Sequence, residues 1–166
     1  MSIATYTEYF SNLNTARKLG TPAPHKAILL LSVMEQIENN QINNNRIILT
    51  ESLERTFLKL WKRYVGVSVI YQAKVVTPFW HLQNEPFWRL YLNNGQDLKT
   101  ITSPYSIKRL RESTYAIMDQ ELFHLMKNED SRAALRVTLI SKYLQAQHNG
   151  NIPLFSIIST LFFLAA

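Results

Sequence analysis

The sequence predicts a mainly α-helical domain, a helical bundle with a small β-hairpin wing of winged-helix-like, α+β character. Three observations carry that expectation. Apolar residues recur at helical spacing over most of the 166-residue chain. Serine, threonine, proline and asparagine punctuate it where helix caps and turns are needed. One central stretch instead gathers aromatic residues on both sides of a polar turn.

Tyr6, Phe10 and Leu13 place a first helix, expected to end near Gly20. Thr21-Pro22-Ala23-Pro24 breaks the chain, and proline suits the first turn of the helix that follows. That second helix spans about residues 25–39, with Leu30, Val33, Met34 and Ile37 on one face. Its run Ala27-Ile28-Leu29-Leu30-Leu31 is apolar all round, the mark of a helix buried on most sides. The asparagines at 39–40 and 43–45 are turn residues, and Arg46-Ile47-Ile48-Leu49 between them and Thr50 predicts a short strand. Thr50 caps a third helix to about Tyr64, with a stripe of Leu53, Phe57, Leu60, Trp61 and Tyr64.

Pro78-Phe79-Trp80-His81-Leu82 and Pro86-Phe87-Trp88-Arg89-Leu90-Tyr91-Leu92, separated by Gln83-Asn84-Glu85, predict a β-hairpin. Helices resume at Ser103-Pro104, near Asp119 and near Asp130. The last of these is expected to turn Ala133, Val137, Ile140 and Leu144 inward. No internal repeat or long linker divides the chain, so residues 1–166 are expected to form one domain. Residues 150–166 end it with an apolar segment. Residues 152–166 would reach about 22 Å as a helix, short of a hydrocarbon core of roughly 30 Å. A buried terminal element, or a longer protein cut short, is expected there rather than a membrane anchor.

Composition narrows the chemistry. The net charge is +6, and residues 59–111 alone carry nine cations against two anions. Such a concentrated positive field suits a polyanion, nucleic acid above all. There are no cysteines, which excludes disulfides, thiolate metal sites and cysteine nucleophiles and suits the cytoplasm. With only four glycines there is no Gly-rich phosphate loop. His25, His81, His124 and His148 are dispersed without ligand spacing, so no metal and no cofactor are expected. Asp97-Leu98-Lys99, with Glu85 upstream, matches the end of a metal-dependent nuclease motif, but so short a match arises readily by chance. His25-Lys26 sits at a helix start, where free N–H groups and the helix dipole favour an anion such as phosphate. Thr77-Pro78, lacking one N–H, marks a rigid apolar corner.

The runs Pro24-His25-Lys26-Ala27-Ile28-Leu29-Leu30-Leu31, Ile47 to Trp61, Pro78-Phe79-Trp80-His81-Leu82 and Phe87-Trp88-Arg89-Leu90 resemble the DNA sulfur-binding domain. That domain accompanies HNH-type (type IV) restriction endonucleases that attack phosphorothioate-modified DNA. The resemblance covers roughly residues 20–145. It implies a shallow pocket for the sulfur that replaces a non-bridging phosphate oxygen, formed by His25, Lys26, Thr77, Pro78 and His81. It also implies DNA contacts from Lys26, Arg89, Tyr105, Lys108, Arg109 and Arg111. Two positions depart from the family pattern: lysine stands at 26 for the usual arginine, and threonine at 77 for the usual tyrosine. Tyr71 or Tyr105 is then the candidate for the missing ring.

The nuclease half of such proteins is not matched, so the resemblance implies a reader of phosphorothioate-modified double-stranded DNA, with cutting left to another domain or subunit. The runner-up is a generic winged-helix DNA-binding module indifferent to sulfur, and the third reading is a metal-dependent nuclease.

Overall fold

The computed structural model describes residues 2–68, 70–97 and 107–145. Its centre is helix α2 (His25–Glu38), in which Ala27, Ile28, Leu29, Leu30, Leu31, Val33, Met34 and Ile37 are all buried. Helix α3 (Glu51–Tyr64) packs along it. Thr50 caps α3 by accepting the Leu53 N–H at 3.1 Å. Glu51 and Glu54 in the first turn and Lys62 and Arg63 in the last match the helix dipole. The buried amide of Gln36 donates to Thr56 Oγ1 at 2.8 Å, so the polar group inside this interface is satisfied.

Helix α1 (Ile3–Ser11) lies against the last helix, α7 (Glu129–Tyr143). Two long-range hydrogen bonds fix it there: Tyr6 donates to Asp119 Oδ2 (3.1 Å), and the Leu13 N–H donates to Tyr143 Oη (2.9 Å). Between them in sequence lie β1 (Arg17–Lys18), β2 (Thr21–Pro22), β3 (Arg46–Ile47), helix α4 (Val76–His81), a 3-10 turn (Leu82–Asn84), β4 (Trp88–Leu92), α5 (Ile107–Ser113), β5 (Thr114–Met118) and α6 (Gln120–Lys127). Strands β3, β5 and β4 form one antiparallel sheet in that order. Trp88, Leu90, Ala116 and Met118 face the core, while Arg46, Arg89, Tyr91 and Tyr115 take the outer face.

The mainly α architecture with a small β element is the one expected, but three local expectations are overturned. The first helix ends at Ser11, not near Gly20. The Asn12 side chain donates to the Glu8 carbonyl (3.0 Å) at the helix end, and the residues beyond form a β1–β2 hairpin with a two-residue turn. Leu19 (φ 50°) and Gly20 (φ 77°) both occupy positive φ, as a turn of this handedness requires.

The expected hairpin over 78–92 is not a hairpin. Its first half is helix α4, with Pro78 in the opening turn where its missing N–H costs nothing, and Phe79 and Trp80 bury their rings from helical positions. Only β4 is a strand, and it pairs with β5, far along the chain. A short aromatic run has no period long enough to separate helix from strand.

In α7 the inner residues are Arg132, Leu135, Leu139 and Tyr143, whereas Val137 is 59% exposed. Leu144 is buried as expected, and Ile140 packs at the margin. The stripe was misplaced because a buried arginine belongs to it. Arg132 donates to the carbonyls of Met126 (2.9 Å) and Lys127 (3.0 Å) and pairs with Glu38 (3.2 Å). The Ser103-Pro104 cap and the apolar 150–166 segment lie outside the described residues. Among the described residues no helix is long and apolar enough to cross a membrane.

Candidate functional site

The first turns of α2 and α4 open onto one cleft of about 400 Å³. Helix α2 contributes His25 and Lys26; α4 contributes Thr77, Pro78 and His81, followed by Asn84. Asn14, Thr15, Ala16 and Ala23, on either side of the β1–β2 hairpin, close the remaining side. All five residues expected to form the sulfur pocket, drawn from two segments about fifty positions apart, therefore share one cavity wall. Proline shapes both segments. Pro24 holds helical φ (−78°) immediately before α2, and Pro78 lies buried in the first turn of α4.

The two histidines and the lysine of the cleft each sit in a distinct environment. The His25 ring packs against Trp61 (centroids 4.7 Å apart) and edge-on to Tyr71 (5.7 Å). Its Nε2–H donates to the Gln72 carbonyl at 2.8 Å, which assigns the tautomer. Burial holds the imidazole below its ordinary range, so it is neutral near pH 7. His81 is shifted the same way, by burial first and then by Lys26. Tyr71, a candidate for the missing ring, donates to the Thr21 carbonyl at 2.8 Å and thereby joins His25 to the hairpin.

Lys26 is not a free cation. Its Nζ lies 2.5 Å from Glu85 Oε1, and both side chains are only 6% exposed. The same carboxylate oxygen accepts the Asn14 N–H at 3.0 Å.

The chain matches the family described as ScoMcrA-like, DNA sulfur-binding domain, over residues 3–152. It belongs to that family. Two solved structures share its fold. One is the sulfur-binding domain of ScoMcrA complexed with phosphorothioated DNA, at TM-score 0.60 and 18% identity, covering 96% of this chain and 98% of that one. The other is the sulfur-binding domain and SRA domain of ScoMcrA, also with phosphorothioated DNA, at TM-score 0.55 and 17% identity. That match covers 89% of this chain and 49% of the other, so the chain spans about half of that two-domain structure. Comparison with curated proteins returns no match.

The remaining residues implied by the sulfur-binding-domain resemblance lie elsewhere. Arg89 projects from the outer face of the sheet, where it and Arg46 flank Ile117 in register. There the Arg46 guanidinium sits 3.8 Å above the Tyr115 ring, and Tyr115 stacks on Tyr91 at 5.6 Å. Lys108 and Arg109 are exposed on α5, whereas Arg111 pairs with Glu54 and fastens α5 to α3. Among the described residues, none of these four lines the cleft. Tyr105 lies outside the described residues.

Sequence reasoning missed Glu85 as a partner of Lys26, and it missed Arg17 and Lys18, two exposed cations on the hairpin beside the cleft. Gly20 one residue before Thr21-Pro22 was the available signal for that turn. The nuclease reading loses its upstream carboxylate, because Glu85 is occupied by Lys26 and Asn14. The Asp97 backbone forms a β-bridge with Tyr91.

The half-buried His25 imparts a pH dependence with a defined sign. Above its ordinary value of 6.5 the ring is neutral whether the chain is folded or not. Below that value the unfolded chain takes up a proton that the folded ring resists, so stability falls as pH falls. Urea midpoints are therefore expected to decline below about pH 6.5, and His25→Asn should make that decline shallower, with His81 supplying a remainder of the same sign. The Glu38 carboxylate, held low mainly by its hydrogen bond from Arg136, adds its own loss only in the more acidic carboxylate range.

Proposed function

We propose that this chain reads phosphorothioate-modified duplex DNA by seating the sulfur in the cleft between His25, Lys26, Thr77, Pro78 and His81. The observation that carries the reading is the convergence of these five residues on one cavity whose wall includes a buried proline and a neutral imidazole. Family membership supports it, and so does the fold shared with domains solved on phosphorothioated DNA.

Sulfur is larger, more polarisable and less strongly hydrated than oxygen. Pressing an ordinary phosphate oxygen against Pro78 strips water from a charged acceptor and returns no hydrogen bond from that wall. The cost is on the order of 1–3 kcal/mol. Sulfur loses less hydration in the same place and gains dispersion contacts with the apolar wall. Discrimination thus comes largely from penalising oxygen.

Arg89, Lys108 and Arg109 on the sheet and α5, together with Arg17 and Lys18 on the hairpin, would meet flanking phosphates and supply affinity without specificity. The whole chain of residues 1–166 serves as one reading module. Any cutting belongs to a separate nuclease domain or subunit, and the cytoplasm is the compartment.

The test compares a duplex bearing one phosphorothioate with its unmodified twin. The modified duplex is expected to bind at least about tenfold more tightly, the factor that corresponds to roughly 1.4 kcal/mol. For both duplexes, log affinity should fall against log salt with a slope of about −4, as for about four to five neutralised phosphates. Equal affinities would leave the generic winged-helix reading in possession. A flat salt dependence on both would remove DNA altogether.

A further inference from the structure

We propose that Glu85 sets the sulfur selectivity of the cleft by cancelling the charge of Lys26. The inference rests on the reading of the cleft as a phosphorothioate pocket and deepens it, since it identifies the residue that keeps ordinary phosphate out.

Glu85 stands one residue after Asn84 on the cleft wall and is itself buried. Its Oε1 lies 2.5 Å from Lys26 Nζ, and the two side chains are equally shielded from solvent. A cation at the wall of an anion-binding cleft would ordinarily be left open to its ligand. Here it is neutralised from behind, within the protein.

The consequence concerns what a phosphate oxygen meets on entering. An uncompensated ammonium in a low-dielectric wall would replace the oxygen's lost hydration with a strong charge-assisted hydrogen bond. Oxygen and sulfur would then both be welcome, and oxygen, the harder and more strongly hydrogen-bonding acceptor, would gain more. With Glu85 in place the pair carries no net charge. Lys26 can still offer a remaining N–H, but the local field that would repay oxygen for dehydration is absent. The neutral His25 ring and the buried Pro78 continue the same uncharged lining. Affinity for the polyanion is left to cations outside the cleft, and discrimination to the cleft itself.

Glu85 also accepts the Asn14 N–H at 3.0 Å and so holds the segment that closes the cleft opposite α4. A purely structural role through that bond predicts an unchanged affinity ratio for a variant that keeps the acceptor oxygen, which makes the two separable.

The test is Glu85→Gln in the full chain. Glutamine keeps the shape and the carbonyl acceptor for Asn14 while removing the charge. The unmodified duplex is expected to bind about tenfold more tightly than it binds the parent, with a salt slope steeper by about one, because a phosphate now meets an uncompensated lysine. The modified duplex should gain less, so the ratio of the two affinities falls by several-fold. Weaker binding of both duplexes would overturn the proposal, because an uncompensated lysine at the cleft can only favour an anion. An unchanged ratio in a folded variant would overturn it too.

Should Glu85→Gln fail to fold, Lys26→Met/Glu85→Met replaces the buried pair with apolar groups of similar length, an exchange that buried ion pairs often tolerate. That variant should bind both duplexes more weakly but keep the ratio within about threefold, since its cleft is still uncharged; loss of the ratio refutes the proposal. A parent chain with no sulfur preference at all would instead refute the reading of the cleft, and that result is read before any variant is made.

Discussion

Pro78→Asp is expected to bring the binding of phosphorothioate-modified duplex down to the level of the unmodified one. Pro78 is buried in the first turn of α4 and lines the cleft between Thr77 and His81. A carboxylate there would oppose the incoming phosphate, taken for the estimate as a like charge about 5 Å away. At the effective dielectric of a protein surface region, two like charges at that separation repel by about 3 kcal/mol, a loss on the order of 100-fold.

The fold should survive the change. Asp is favourable in the first turn of a helix, where it complements the dipole, and position 78 lines a cleft open to water. The unmodified duplex, which gains little from the cleft, should lose much less than the modified one. Melting curves measured alongside the binding isotherms separate this outcome from simple unfolding. A folded Pro78→Asp chain that prefers sulfur as strongly as the parent would place the pocket elsewhere.

The parts of the molecule that were legible in advance are those in which one chemical signal dominates. Helix α2 is such a case, since an apolar run without a polar face between two prolines and a pair of asparagines has few other solutions. Helix α3 is another, with Thr50, Glu51 and Glu54 at one end and Lys62 and Arg63 at the other.

Legibility failed where two signals competed over a short stretch. Thr77-Pro78-Phe79-Trp80 has the composition of a strand and the proline of a helix start, and the core settled the matter by accepting Phe79 and Trp80 from α4. The β1–β2 hairpin was hidden by Leu19, a residue poorly suited to positive φ beside the glycine that is suited to it.

The site divides in the same way. His25, Lys26, Thr77, Pro78 and His81 were implied by a family resemblance that runs of neighbouring residues carry, and they do share one cleft. The partnership of Lys26 with Glu85 spans 59 positions and follows no periodicity, so only the folded chain brings it to view. The pairing of Arg111, a candidate DNA contact, with Glu54 is equally invisible in advance, since it spans 57 positions.

The buried pair of Lys26 and Glu85 leads to the second large effect, which is on stability. Lys26→Ala strips the Glu85 side chain, 6% exposed in the parent, of its cation, although the Asn14 N–H still reaches it. Removing one partner of a buried ion pair costs about 3–5 kcal/mol, because the stranded charge has neither water nor a counter-charge. Against a total stability of about 5–15 kcal/mol for a domain of this kind, that is a large fraction. The urea midpoint of Lys26→Ala should drop accordingly, with the slope of the transition unchanged.

An exposed lysine that served only to touch phosphate would behave otherwise, since surface substitutions usually stay within about 0.5 kcal/mol. Adding Glu85→Gln to Lys26→Ala removes the stranded charge and should recover more than half of the loss, a coupling that a double-mutant cycle measures directly. At temperatures where Lys26→Ala stays folded, its bare carboxylate next to the cleft should also weaken both modified and unmodified duplex. A Lys26→Ala chain as stable as the parent would mean that the ammonium and carboxylate are not paired in solution, and that the charge of Lys26 is open to DNA after all.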